Sequence, residues 1–293
     1  MMHLMRRKGL FFILSSLVIL PGLFFLLTGG LKFGIDFTGG SLLEYKFSQA
    51  TSSARIATKE SLQKYGTVLQ TGNSSFIIRT KPHEASELTA LKESIRQDFG
   101  DFEVRREESV GPVIGAELKQ KAITGTLLAC LMIVLYITYA FRKVPKPASS
   151  FRFGVSAVVA LLHDVFVLVG TFAILGKFLN VEIDTLFVTA LLTVIGFSVH
   201  DTIVVFDRIR ENMPRHLGMK FSDIADISIV QTLSRSLNTS LTVVLVLLAL
   251  LLFGGASIKW FVVALLVGII SGTYSSIFNA TALLSYWEEK LGH

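Results

Sequence analysis

Two aspartates stand where a charge is costly. Asp164 lies within the apolar run Phe153–Gly176, and Asp201 within Thr185–Phe206. In the middle of a bilayer a carboxylate is disfavoured by about 2.5–3.5 kcal/mol, unless it is protonated, paired or turned to a wet cavity. Both are therefore candidates to hold and release a proton. The competing reading of Asp164 is a permanently neutral group hydrogen-bonded to a neighbouring helix. Asp201 sits in Gly196-Phe-Ser-Val-His-Asp-Thr-Ile-Val-Val-Phe-Asp-Arg-Ile-Arg-Glu-Asn212. A carboxyl poised between the opposing pulls of burial and a nearby cation can load and unload a proton. Arg235, at the entry to the next apolar run, is the one cation near the ends of the runs without an obvious loop role. Arginine keeps its charge, so it can switch a carboxylate but not carry the proton; equally, it can snorkel as an anchor.

His163 and His200 each directly precede one of these acids. Imidazole titrates in the range that a relay needs. Successive helical residues point about 100° apart, however, so adjacency is no contact and helix packing is the simpler reading of both. Asp207, Arg208, Arg210 and Glu211 read as the solvated end of the same helix. The glycines of Gly34-Ile-Asp-Phe-Thr-Gly-Gly40 permit a sharp change of direction, with Gly39 and Gly40 as the hinge. Gly111 and Pro112, in Gly111-Pro-Val-Ile-Gly115, do the same further on.

Six apolar stretches of bilayer-spanning length must position these groups: Gly9–Thr28, Ala122–Phe141, Phe153–Gly176, Thr185–Phe206, Ser236–Phe253 and Trp260–Leu284. Of the chain's 50 formal charges, 48 lie outside them. The first run is too long for a signal peptide and lacks a small-residue cleavage site, so it reads as an uncleaved anchor. Lys and Arg crowd one side: three precede the first run, four follow the second, five lie between the fourth and fifth, and Lys290 closes the chain. The opposite short loops hold only Lys177 and Lys259. The positive-inside rule places both termini in the cytoplasm.

Residues 29–121 fall on the far side and carry 13 basic and 12 acidic residues, as a soluble domain would. Alternation predicts strands over Ser41–Phe47, Thr67–Thr71, Ser74–Thr80 and Phe102–Glu108. Helical spacing predicts Ala54–Tyr65 and Glu84–Phe99, the latter with Leu88, Leu91, Ile95 and Phe99 on one face. A turn at Gly72-Asn73 joins the middle strands. The order β-α-β-β-α-β is that of the ferredoxin-like split unit. The expected organisation is thus 1–28 (tail and first helix), 29–121 (extracytoplasmic α+β domain) and 122–293 (a five-helix bundle with a cytoplasmic segment 207–235). Within that segment Met219–Ser234 predicts a short amphipathic helix, lying on the membrane surface or packed beneath the bundle.

The 293 residues are 51% hydrophobic but only 17% charged, against roughly 25% charged in soluble proteins. That excludes a disordered chain, and a single cysteine, Cys130, excludes a disulfide scaffold and a thiolate metal cluster. The net charge of +6 reads as a topology signal, not nucleic-acid affinity. His83-Glu-Ala-Ser-Glu87 lacks the second histidine of a zinc motif. Gly196-Phe-Ser-Val-His200 lacks the closing glycine of a nucleophile elbow. No P-loop is present, and no enzymatic activity or cofactor is expected.

Together the Gly196–Asn212 segment, Val110-Gly-Pro-Val-Ile-Gly-Ala-Glu117, Leu162-His-Asp-Val165, Gln231-Thr-Leu-Ser-Arg-Ser236 and Leu251-Leu-Phe-Gly-Gly255 resemble the SecF family of protein-export membrane subunits. The resemblance covers nearly the whole chain. It implies a six-helix, RND-like bundle in the bacterial inner membrane that pairs with SecD, associates with the SecYEG channel, and uses the proton motive force to assist translocation and release of a preprotein. It implies that Asp201 lies on the proton path, with Arg235 as its partner and Asp164 as the aspartate of the third helix. Many members have Asn where His200 stands, which leaves the role of His200 open. An RND-like exporter of lipid or small molecules, and a purely structural scaffold of the translocon, are the alternative functions.

Overall fold

The computed structural model describes residues 4–47, 67–70, 75–80, 85–142, 144–145 and 148–291. In chain order its elements are α1 (Lys8–Gly29), α2 (Ile35–Thr38), β1 (Gly40–Phe47), β2 (Thr67–Gln70), β3 (Ser75–Thr80), α3 (Ala85–Phe99), β4 (Phe102–Val110), α4 (Pro112–Ala140), α5 (Ser150–Leu179), α6 (Thr185–Asn212), α7 (Phe221–Phe253), α8 (Lys259–Tyr274) and α9 (Ala280–Leu291). A single π turn, Ser275–Asn279, joins α8 to α9. Six helical spans are long and apolar enough to cross a membrane, α8 and α9 together forming the sixth. The chain divides into two compact units, residues 33–123 and residues 1–32 with 124–293.

In the first unit four strands form an antiparallel sheet in the order β2-β3-β1-β4. This is the arrangement that the split β-α-β reading requires. The period-2 alternation of β1 sends Leu43 and Tyr45 into a core with Val68, Phe76, Ile78, Leu88 and Ile95. Tyr45 stacks on Phe102 with ring centroids 4.2 Å apart. The anticipated helix Ala54–Tyr65 and the turn at Gly72-Asn73 lie outside the described residues. At Gly39 (φ +73°) and Gly40 (φ +132°) the backbone enters a region that a Cβ disfavours. Space is tight there too: a Cβ on Gly39 would stand 2.9 Å from the Cα of Pro112, and one on Gly115 would stand 2.9 Å from the Gly39 nitrogen. The glycine motifs are thus one packed corner, which turns the chain from α2 into β1 and abuts the start of α4. Pro112 suits the first position of a helix, where its missing N–H has no partner to lose. Gly111 has open space around it and needs no glycine on these grounds.

In the second unit α5, α6 and the α8–α9 span are the most buried, whereas α1, α4 and α7 expose most of their apolar side chains. Small residues set the close crossings, as between membrane helices generally. A Cβ on Gly22 would lie 2.8 Å from the Cα of Gly170, so α1 and α5 meet backbone to backbone. Gly268 and Gly272 bring α8 against Val194 and Ser198 of α6. Asp184 caps α6 by accepting the Phe187 amide at 2.8 Å, and Asn180, in the left-handed region, ends α5.

One expectation is corrected. The amphipathic segment Met219–Ser234 is not a separate surface helix; from Phe221 it is continuous with the fifth span in the 33-residue α7. Ile224, Ala225, Ser228, Ile229 and Thr232 are buried. The Asn212 amide donates to Ser228 Oγ and Gln231 Oε1, each at 2.9 Å, and so clamps the end of α6 onto α7. Phe221 joins Phe141, Phe153 and Phe206 in an aromatic cluster, with centroids 5.3–6.4 Å apart.

Candidate functional site

Asp164 is fully buried near the middle of α5. Its carboxyl takes hydrogen bonds from two other helical spans. Ser198 of α6 and Ser275 of the π turn reach Oδ2 at 2.5 and 2.6 Å. Ser271 of α8 reaches Oδ1 at 3.0 Å. His163 Nδ1 lies 3.0 Å from the same oxygen. Four polar partners surround this one carboxyl, so the third-helix aspartate is the hub that ties α5, α6 and the sixth span together.

His163 does more than pack. Its Nε2 meets Ser15 Oγ of α1 at 3.0 Å, and the Asn279 amide donates to the same hydroxyl at 2.6 Å. The expectation that His163 would not touch Asp164 fails because both side chains face the bundle interior and Nδ1 lies close to the ring's attachment point, so the ring bends sideways to its neighbour. His200, by contrast, is exposed on α6.

Asp201 lies one turn beyond Ser198 on α6, about 4.5 Å along the axis, and is 3% exposed. Its Oδ2 accepts no hydrogen bond among the described residues. The buried Ser236 stands beside it on α7, its hydroxyl turned to the carboxyl. Next to Asp201, Thr202 donates to Ser276 Oγ at 2.8 Å, and Ser276 donates to the Ser198 carbonyl at 2.9 Å. Arg235 immediately precedes Ser236 but is exposed and makes no ion pair with Asp201 in this structure. The hydroxyl network thus reaches from Asp164 through Ser198 and Ser276 to Thr202, the chain neighbour of Asp201, while Arg235 is exposed.

The π turn makes this geometry. One extra residue per turn slips the helix register, so that Ser275, Ser276 and Asn279 address Asp164, Thr202 and Ser15 at once. These residues, with Ser15, Ser198 and Ser271, are the part of the site that the sequence reading did not single out. A signal was present: Ser271, Ser275 and Asn279 recur at i, i+4 and i+8 in an otherwise apolar run, the spacing of one polar helix face. Hydroxyls both donate and accept, so the network can pass protons as well as hold helices. Among the described residues no cluster of three or more His, Cys, Asp or Glu could hold a metal ion.

Comparison with known proteins agrees over most of the chain. Residues 90–290 match the family model described as protein export membrane protein SecD/SecF, C-terminal, and residues 24–51 match the SecD/SecF GG motif. The protein translocase subunit SecF of Thermobaculum terrenum is 48% identical over 304 residues, covering 99% of this chain and 95% of the relative. The subunit of the same name from Haemophilus influenzae is 39% identical over 284 residues, covering 95% and 84%. Among solved structures, SecDF from Thermus thermophilus, titled a translocon-associated membrane protein, superposes with a TM-score of 0.83 at 31% identity. It is matched by 97% of this chain, which spans 38% of that longer polypeptide. SecDF in a super-membrane-facing form gives a TM-score of 0.67 at 30% identity over the same shares.

Proposed function

The chain belongs to the SecD/SecF family of protein-export membrane proteins, and from that membership we propose that it is a SecF-type subunit of a protein translocase, coupling proton entry to the movement and release of an emerging preprotein. It does so with SecD and beside the SecYEG channel, in the bacterial inner membrane, without enzymatic chemistry of its own. The distribution of Lys and Arg supports cytoplasmic termini, with residues 29–121 outside. The exposed apolar faces of α1, α4 and α7 suit lipid and the helices of a partner subunit.

The observation that carries the reading is Asp201: a carboxyl buried on α6, one turn from Ser198 and beside Ser236, the residue that follows Arg235 on α7. Protonating Asp201 removes its attraction for the arginine, and approach of the arginine favours the ionised acid. The proton thereby selects between two arrangements of α6 and α7. One charge crossing 100 mV supplies about 2.3 kcal/mol. A full swing between two states needs about 5.5 kcal/mol, so more than one proton, or an added pH gradient, drives the cycle. Hinge motion at Gly39, Gly40, Gly111 and Pro112 transmits it to the outer domain.

Complementation of an export-deficient strain tests this. Asp201→Asn and Arg235→Met should each abolish proton-dependent release while the protein still assembles. Full activity in both would leave only the scaffold role. Recovery with an efflux adaptor and no translocon subunit would favour a small-molecule exporter.

A further inference from the structure

At the end of the bundle where α1, α5 and α7 begin, none of the three helix starts has a side-chain cap of its own. The first backbone N–H groups of a helix have no partner inside it, and they favour a nearby anion. Here each start meets a carboxylate from another helix. Asp226 of α7 accepts the Met5 amide at 2.9 Å, in the turn that leads into α1. Glu288 of α9 accepts the Ser149 amide at 3.1 Å, at the start of α5, and the Arg152 guanidinium at 2.9 Å. Glu289, also of α9, accepts from the Lys8 ammonium of α1 at 2.6 Å. It is faced by the backbone N–H and hydroxyl of Ser222, in the first turn of α7. Asp226 is 3% and Glu288 5% exposed, and a carboxylate so buried is retained only when paired. The contacts close a ring: α7 to α1, α1 to α9, α9 to α5, and α9 back to α7.

The ring has two halves. Glu288 with Arg152, and Glu289 with Lys8, join α9 to α5 and α1 without α7. Asp226 and Ser222 are what α7 contributes. That helix also carries Ser236 beside Asp201 and, through the Asn212 amide, holds the end of α6. A cleft of about 810 Å³, lined in part by Met213, Phe221, Ser222 and Asp226, leaves open space along the start of α7. We propose that Asp226 and Glu289 latch the start of α7 to α1 and α9 in the resting state, while Glu288 anchors α9 to α5, and that the proton-driven rearrangement of α6 and α7 breaks the latch. The inference rests on the proton-coupled reading above. Its consequence is a threshold. With the latch intact the resting arrangement is favoured; without it the other arrangement gains population even when no preprotein is present.

The test uses the full chain reconstituted with SecD in vesicles under an imposed pH gradient, without preprotein, with proton flux read by an entrapped dye. Asp226→Ala should raise this idle flux roughly tenfold, the scale set by losing one hydrogen bond to a charged group. Adding Asp201→Asn should abolish the rise. Glu288→Gln, which loosens only α9 and α5, should leave the flux at the level of the parent. Three results would overturn the proposal: unchanged flux in Asp226→Ala, a rise that survives Asp201→Asn, or an equal rise in Glu288→Gln, which would mean general loosening. Undiminished export in Asp201→Asn alone would instead defeat the wider reading. Should Asp226→Ala fail to fold, hydrogen exchange of the parent decides the matter. The Met5 and Ser222 amides should be protected at rest and exchange faster while a pH gradient drives export, with Ser149 unchanged. Protection that stays the same at all three would mean that no latch opens.

Discussion

Replacing Asp164 separates its part in holding helices from its part in moving protons. Three of its four hydrogen bonds come from other helical spans: Ser198 at 2.5 Å, Ser275 at 2.6 Å and Ser271 at 3.0 Å. Interhelical hydrogen bonds in membranes average about 0.6 kcal/mol and reach about 1.7. Asp164→Ala removes all three and leaves His163 Nδ1 without its acceptor. Ser275 recovers something, because its hydroxyl already lies 3.2 Å from the Gly272 carbonyl. The expected loss is therefore about 2–4 kcal/mol. Asp164→Asn should behave differently. Its amide oxygen can still accept from Ser198 and Ser275. Its NH2 can donate to Ser271 Oγ and to His163 Nδ1, since a hydroxyl rotates and imidazole changes tautomer. The loss should stay below about 1 kcal/mol, yet the variant should carry no proton. Reversible unfolding in detergent by titration with dodecyl sulfate gives the first quantity, and proton flux in vesicles the second. An Asp164→Ala protein as stable as the parent would refute the hub. An Asp164→Asn protein with full flux would confine Asp164 to structure.

Two further outcomes follow from packing. Gly22→Leu should destabilise by about 1–3 kcal/mol, the usual cost of overpacking, because a Cβ there must retreat by more than half an ångström from Gly170; an unchanged unfolding midpoint would deny the close α1–α5 crossing. Tyr45→Phe should be neutral or stabilising, because the buried phenol makes no hydrogen bond among the described residues, and hydrogen exchange of the β1 amides should be unchanged or slower. Burial also pushes the Tyr45 phenol well above its ordinary value of 10.0. Above about pH 10 the unfolded chain therefore binds fewer protons than the folded one, and stability falls as pH rises. The phenylalanine variant should lack that component of the alkaline loss.

The six spans were legible because hydropathy over about 20 residues reports the bilayer directly, and the sheet order because short amphipathic strands can bury their apolar face in few ways. Asp164 and Asp201 were legible because a lone acid in an apolar run has few innocent explanations. The continuity of α7 was not. Its first turns carry Asp223, Asp226 and Arg235, so hydropathy starts the span at Ser236, whereas the helix is extended by packing against Asn212 and Phe153. The serine and asparagine hub was hidden for a different reason. Such residues are ordinary in membrane helices, where they bond to the carbonyl four residues back, as Thr273 does. The π turn then aims Ser275 at Asp164 and brings Ser276 to Thr202.

The central claim, that Asp201 takes up a proton inside the bundle, is tested most directly by infrared difference spectroscopy of the reconstituted protein across a pH step. The account predicts a carboxylic-acid C=O band that appears on acidification, shifts in deuterated water and loses its Asp201 component in Asp201→Asn, with Asp164→Asn as the control for the other acid. A band that survives unchanged in that variant would place the proton elsewhere and contradict the account.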